Sequence, residues 1–511
     1  MCDVARVAVD MLPDVALLNI FDFYMEEELI DPLDKIYNSN PRIEVWRTLA
    51  HVCRKWRYIV FGSPRRLHLR VYCRRNTPAR EMPNIWPNIP VIVWVTEYLD
   101  MDNTIAALKH NDRVCAIYLW DVRNSGSEKI LVAMEQPFPT LTRLVLGFED
   151  ETALVHPASF LGGSAQGLQL LILRHIPFPG LPTLLLSATH LVNLYVWRIP
   201  HSGYFSPDAI VSVLSVLTRL EALAIDFISP RSRPTRKSRR SLPTRPLLPV
   251  LAHLHFRGVS EYLEDLVARI DAPLLDSLRI FLYHKLIFDT PQLTQLISRT
   301  PKFKVLNETR VTFGNRNASV KLQSTSGARL FFNISSKQPD WQLLSLARLC
   351  SSSFLQALIS MERLYIRVLR PLPLPWQDER NQWLELLHLF NAVKDLYISS
   401  NFTPRIASIL QELIRERATD SEVLPSLQAL FLSKTHTEPV PDAIGQFIAV
   451  RQLPATPLLF LAGMMKLTKM MKIDRCSPFK FFLFVRHLLT SFSRFLPPSC
   501  VASERSVTVF S

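Results

Sequence analysis

The chain has little of what small-molecule chemistry is usually built on. Its 511 residues include only 13 glycines, which leaves few backbone nests for phosphate groups. Gly162 to Leu168, GGSAQGL, has the glycine spacing of a phosphate loop but places leucine where that loop requires lysine. There is no HExxH, no GxSxG and no paired-carboxylate motif, and the 13 histidines are dispersed. A lone one such as His175 reads as a satisfied polar residue. No catalytic residue, cofactor or metal ligand is assigned, and no enzyme activity is expected.

Cysteine is also scarce. The seven residues, Cys2, Cys53, Cys73, Cys115, Cys350, Cys476 and Cys500, are odd in number, scattered and free of any CxxC pair, so they read as reduced thiols. Asp3 and Asp10 interrupt the N-terminus where a secretory signal needs an unbroken apolar stretch. The apolar pieces PLLFLAGMM and FFLFV fall far short of the roughly 20 residues of a membrane span. An intracellular chain, cytoplasmic and/or nuclear, with no membrane span is expected, and its four Asn-x-Ser/Thr sequons are coincidental.

The net charge is +14, but it is concentrated. SPRSRPTRKSRRSLPTRP contributes +7, and Arg451 to the end contributes another +7. The rest of the chain sums to zero, which argues against an extended nucleic-acid surface. The basic stretch at 229–249 cannot bury apolar area and reads as a mobile, solvated insertion; a nuclear-localisation signal or a contact with an acidic partner are the alternatives. The tail after Pro454 fits no repeat. It reads as a cap, a membrane-touching segment or, preferentially, non-coding sequence carried into the chain.

What the chain has in abundance is one hexad, apolar-x-x-apolar-x-apolar. It occurs as VCAIYL, LTRLVL, LQLLIL, LVNLYV, LEALAI, LAHLHF, LDSLRI and a degraded FKVLNE, then as MERLYI, VKDLYI and LQALFL. The middle residues run Ile117, Leu144, Leu171, Leu194, Leu223, Leu254, Leu278, Leu306, Leu364, Leu396 and Leu430, at steps of 23 to 34 residues with one double step of 58. A further copy near RLFFNIS is expected to fill that gap. Helix starts lie between: Ser206-Pro207, Thr290-Pro291 and Thr403-Pro404 each set an N-cap residue before a first-turn proline. Strand then helix, repeated, is a solenoid. The array resembles leucine-rich repeats, with Glu149, Ile176 and Ile199 where that family ladders Asn or Cys. An ordinary α/β domain with leucine-rich strands is the alternative.

Near the N-terminus, LPDVALLNIFDFY and WRTLAHVCRKWRYIVFG each carry a helical apolar stripe, the second with Trp46, Leu49, Val52, Cys53 and Trp56. Two such helices are too small to sequester that stripe, so part of it is expected to meet a partner. These residues resemble the F-box: Leu12, Pro13, Leu17, Leu18, Ile20 and Phe21, then Trp46, Leu49, Val52, Cys53 and Trp56, with Val15, Ala16 and a long inter-helix insertion as departures. RKWRYIVFGSPRRLHLRV and IWPNIPVIVW are similar to F-box proteins of mushroom-forming fungi, in which a leucine-rich array follows.

The resemblance implies an α/β chain. A small all-α F-box domain occupies 11–61 and a linker or N-terminal cap 62–100. An irregular leucine-rich-repeat-like solenoid, with short parallel strands on the concave face and helices on the convex one, spans 101–450, and 451–511 forms a divergent, poorly ordered tail. It further implies a substrate receptor of a cullin-based ubiquitin ligase. Leu12, Pro13, Leu17, Leu18, Ile20, Phe21, Trp46, Leu49 and Trp56 would hold a Skp-family adaptor and, through it, a cullin. A protein substrate would meet positions between the strand leucines: Tyr118, Arg143, Asn193, Tyr195, His253, His255, Arg279, Arg363, Tyr365, Lys394, Asp395 and Tyr397. A non-catalytic leucine-rich-repeat scaffold without a ligase role is the alternative.

Overall fold

In the computed structural model the hexads become strands, because their second and third apolar residues fall on one side of a period-two backbone. The structure describes residues 12–26, 45–64, 71–73, 89–95, 101–122, 124–148, 159–231, 245–283, 290–335, 339–354, 358–369, 379–399, 409, 423–432 and 442–450. They fall into two units, 12–64 and 71–450. The heart of the basic insertion (232–244), the Thr403-Pro404 helix start and the whole 451–511 tail lie outside the described residues.

The first unit has three helices: α1 (Asp14–Glu26), α2 (Val45–Val52) and α3 (Arg54–Gly62). The tryptophan stretch, expected as one helix, is two. Cys53 is extended and caps α3, its Sγ accepting from the Trp56 N–H at 3.4 Å. Lys55 Nζ donates to the Leu12 carbonyl at 2.8 Å and lies 3.7 Å from Asp14 Oδ1, tying α3 to the start of α1.

The second unit is built on one 15-stranded sheet. It starts inside the stretch expected to be a linker, with β1 (Val71–Cys73) and β2 (Val91–Val95). It runs in chain order through β3 (Val114–Val122), β4 (Arg143–Phe148), β5 (Leu170–Arg174), β6 (Asn193–Ile199), β7 (Ala222–Phe227), β8 (His253–Gly258) and β9 (Ser277–Tyr283), all parallel. Between them stand α4 (Met101–Leu108), α5 (Asn124–Ala133), α6 (Leu181–Leu185), α7 (Pro207–Leu214), α8 (Ser260–Val267) and α9 (Pro291–Arg299). Neighbouring helices pack side by side from α6 through α9.

The repeat then departs from the expected pattern. The degraded copy around Phe303 and Leu306 is a 3₁₀ turn, and the next strand begins only at Glu308. β10 (Glu308–Phe313), β11 (Asn317–Gln323) and β12 (Arg329–Ser335) form an antiparallel meander, so the spatial order is β9-β12-β11-β10-β13. β12, which holds the expected RLFFNIS copy, pairs parallel with β9, and β10 pairs parallel with β13 (Arg363–Val368). α10 (Pro339–Leu349), α11 (Glu379–Leu387), β14 (Asp395–Ile398), β15 (Ala429–Leu432) and α12 (Asp442–Val450) complete the unit.

Two rows hold the sheet together. The middle leucines Leu144, Leu171, Leu194, Leu223, Leu254 and Leu278 are cross-strand partners and completely or almost completely buried. Just ahead of the strands runs a chain of backbone bonds. Thr142 N–H donates to Cys115 O at 2.9 Å, Gln169 to Thr142 at 2.8 Å, Val192 to Gln169 at 2.9 Å, Glu221 to Val192 at 2.8 Å, Ala252 to Glu221 at 2.9 Å and Asp276 to Ala252 at 3.0 Å. This backbone relay satisfies polar groups between neighbouring turns just ahead of the strands. Helix starts vary. Ser206 caps α7, its Oγ accepting from the Ala209 N–H at 3.2 Å. At α9 the Thr290 side chain makes no cap bond, and the Glu264 carboxylate accepts from the N–H groups of Gln292 and Leu293 at 2.9 and 3.0 Å.

One carboxylate is enclosed by the sheet. Asp226 on β7 faces the bulge of β6, where Arg198 takes a positive φ of 54°. Burial raises its pKa to about 7, against the pull of Arg257, 3.8 Å away, and of Arg198. The folded chain therefore holds a proton that the unfolded chain has lost above about pH 4, and stability contributed by the neutral acid is lost as pH rises from there towards 7.

Two outcomes follow. Leu194→Ala leaves a cavity in the leucine row and lowers unfolding free energy by roughly 2–5 kcal/mol in a urea titration. Asp226→Asn gains stability relative to the parent across pH 4 to 7, by at most roughly 4 kcal/mol, and the gain levels off above 7; melting temperatures taken across that range check it.

Candidate functional site

The first surface belongs to the helical unit. Leu17, Phe21, Trp46 and Leu49, expected to face an adaptor, are buried within the chain together with Ala50, Ile59 and Val60. The helices thus close most of the stripe on themselves: Phe21 meets Trp56 edge-on at 4.8 Å, and Trp46 meets Phe61 at 6.0 Å. Leu12, Leu18 and Trp56 are half-buried, Pro13 is exposed and Ile20 is 50% exposed. Ile20 lies three residues on from Leu17, at the edge of the buried side of α1, while Val15 at 64% and Phe23 at 80% exposure lie on the opposite side. Val52 and Tyr58 are also exposed. α1 is therefore apolar on two sides. Val15 enters the sequence reading only as a departure from the F-box pattern, and Phe23 and Tyr58 are not singled out, although the near-continuous apolar run VALLNIFDFY is the signal of such a helix.

The second surface is the face of the sheet opposite the leucine row. Most expected substrate-facing residues share it, but in two different settings. From β3 to β8 the middle row of the face is closed: Tyr118, Val145, Ile172, Tyr195, Ala224 and His255 are cross-strand partners in that order, and all are buried. Trp197 lies 4.6 Å from His255, which lies 5.1 Å from Phe281. Burial, then the Arg279 and Arg257 charges, hold the His255 pKa well below the usual imidazole range, so the ring is neutral. Arg143, Asn193 and His253 are half-buried at the start of this face; His253 Nδ1 lies 3.3 Å from Asp276 Oδ1, and Tyr195 Oη donates to Asn193 Oδ1 at 3.3 Å.

From β9 to β14, side chains alternate between buried and partly open, and in β15 all are partly open. The same row continues as Arg279, Phe331, Lys321, Arg310, Tyr365, Tyr397 and Phe431. Tyr365 stacks on Tyr397 at 4.2 Å and Tyr397 on Phe431 at 4.4 Å, while the Arg310 guanidinium lies 5.2 Å from the Tyr365 ring centre. Burial raises the Tyr365 hydroxyl to about 12 and raises that of Tyr397 too, so both stay protonated. Arg363 pairs with Asp395 at 3.7 Å; exposed Lys394 pairs with Glu362 at 2.7 Å. Lys321, Arg310, Arg329, Phe281 and Phe331 escaped the sequence reading, which sought hexads and found none in β10 and β11.

Elsewhere, the Gly162-Gly163 pair closes a turn against Pro137 rather than opening a helix, and a Cβ on Gly162 would meet Pro137 Cβ at 2.9 Å. His175 Nδ1 hydrogen-bonds with the Phe148 carbonyl at 3.0 Å. Among the described residues no group of three or more His, Cys, Asp or Glu is arranged to hold a metal ion, and no helix is long and apolar enough to cross a membrane.

No family model and no curated protein matches this chain. Among solved structures it is similar to the leucine-rich repeat-containing protein LegL7 from Legionella pneumophila, with 11% identity over 76% of this chain and 100% of that one and a TM-score of 0.31.

Proposed function

We propose that the chain is a non-catalytic substrate receptor of a cullin-based ubiquitin ligase, its N-terminal helices docking a Skp-family adaptor and its sheet capturing a protein substrate. The observation that carries this reading is the set of apolar side chains that α1 leaves exposed, Val15, Ile20 and Phe23, although Leu17 and Phe21 already supply a core. Exposed apolar side chains gathered on one helix face mark a protein contact. They add to the F-box-like residues of the sequence. In this role the chain makes and breaks no bond. It raises the local concentration of substrate lysines beside a ubiquitin-loaded enzyme.

The division between buried and exposed residues refines the anchors. Pro13, Val15, Ile20 and Phe23 are available to a partner. Leu17, Phe21, Trp46 and Leu49 support them from beneath, with aromatic Phe23 the strongest single contributor. The burial of those four residues also favours the second reading, an interaction scaffold that needs no adaptor.

Co-purification with a recombinant Skp-family adaptor separates the two. The wild-type chain retains the adaptor, and Ile20→Glu with Phe23→Glu abolishes retention while leaving the melting temperature within a few degrees of the parent, as surface substitutions do. Trp46→Ala loses retention by unfolding the helical unit. A folded wild-type chain that never retains the adaptor leaves only the scaffold.

A further inference from the structure

The meander brings basic side chains together on one face of the sheet. Lys321 and Arg310 are direct cross-strand partners, Arg279 lies two strands from Lys321 in the same row, and Arg329 stands one step down β12 on the same face. Like charges placed opposite one another on a sheet repel. One carboxylate joins them from these strands, Glu308, and its Oε1 is 3.5 Å from Arg310 Nη2. Asp276, beside Arg329, is already engaged by His253 at 3.3 Å and Lys302 at 3.4 Å. No hydrogen bond or ion pair from the described residues reaches the Lys321 ammonium, and the buried Arg310 Nε has no acceptor. Burial, and then Arg310 and Arg329, pull the Lys321 pKa down to about 8; burial and Arg329 bring Arg279 to about 10. Fold stability alone does not account for such a cluster, because an apolar residue at Lys321 would remove both the repulsion and the desolvation cost.

The surroundings define what fits. Lys321 and Arg310 lie between two aromatic groups, Phe281 with Phe331 at 5.3 Å on one side and the Tyr365-Tyr397 stack on the other. Ser319, Thr312 and Gln323 add neutral polar groups on the same strands and face. A ligand here presents anionic oxygens to the centre and apolar or aromatic groups to the flanks. A peptide segment does both, whereas a bare inorganic anion uses only the centre.

We infer that the face of β9, β12, β11 and β10 opposite the leucine row is a binding site for an acidic peptide segment, whose carboxylate or phosphate oxygens are held by Lys321, Arg310, Arg329 and Arg279. This rests on the reading of that face as the capture surface, and it is tested without the adaptor, so either idea can fail alone.

Fluorescence anisotropy on the full chain at 0.15 M salt, with fluorescein-labelled octaglutamate as probe, tests it. A second chain carries Arg236→Gln, Lys237→Gln, Arg239→Gln and Arg240→Gln, which removes the separate basic run. Octaglutamate binds both chains; Lys321→Met or Arg310→Met weakens binding about tenfold or more in each, and Arg348→Gln does not. Lys321→Met also melts no lower than its parent, the signature of a residue kept for binding. An octaglutamine peptide bearing one phosphoserine identifies the source: tighter binding than octaglutamate makes it phosphate, weaker binding makes it carboxylate. The inference is overturned if Lys321→Met and Arg310→Met bind octaglutamate like their parents, if binding disappears with the 236–240 run, if unmodified octaglutamine binds equally well, or if a single-stranded octanucleotide binds more tightly than either peptide.

Discussion

The sheet depends on strict register between neighbouring turns. From β3 to β9 each strand offers a leucine, or an equivalent such as Ile117, to the row beneath the sheet, and each turn from β4 to β9 takes a backbone hydrogen bond from the one before, just ahead of the strand. Neither device works in isolation, because a single strand and helix cannot cover their own apolar face. Together they tolerate repeats of unequal length, since only the strand and the residue before it must align. The bulge of β6, the basic insertion after β7 and the varied helix caps all lie outside those positions.

That same tolerance admits the meander. β12 joins β9 in parallel register, with Leu330 opposite Leu278, and β10 hands the register on to β13, with Thr309 opposite Leu364. The backbone relay is carried across by Arg329 N–H donating to Asp276 O at 2.7 Å. The insertion therefore leaves the leucine side almost unchanged and alters the other side. Before it the open face is filled by aromatic and aliphatic side chains that bury one another; from it onward the face alternates, and basic and aromatic residues remain accessible. One sheet thus has a half whose face is closed and a half whose face keeps basic and aromatic side chains partly open.

The parallel part of this architecture was legible in the sequence. The hexads mark β3 to β9 and β13 to β15, because a buried row leaves a leucine at a fixed place in each repeat. β10 and β11 were missed for the same reason: in ETRVTF and NASVKLQ the apolar residues alternate strictly, and the turn formers GNR and STSG join the strands as hairpins rather than crossovers. Leu306, counted as a repeat marker, lies two residues ahead of the real strand. At the N-terminus the apolar stripe pointed to helices open to a partner, whereas Leu17, Phe21, Trp46 and Leu49 are buried within the chain. Which of its residues face inward depends on the break at Cys53, where a thiol replaces the usual Ser or Asp cap and gives composition nothing to read.

Disulfide mapping of the strand order tests the central claim, that a reversed meander sits in register within an otherwise parallel array, most directly. Ser277 and Arg329 are adjacent partners across β9 and β12, within disulfide reach, while Glu308 lies two strands further on. Mild oxidation followed by peptide mass spectrometry should find a cross-link in the chain with Ser277→Cys and Arg329→Cys, and none in the chain with Ser277→Cys and Glu308→Cys. A cross-link only in the second chain would place β10 beside β9 in simple sequence order and contradict the account.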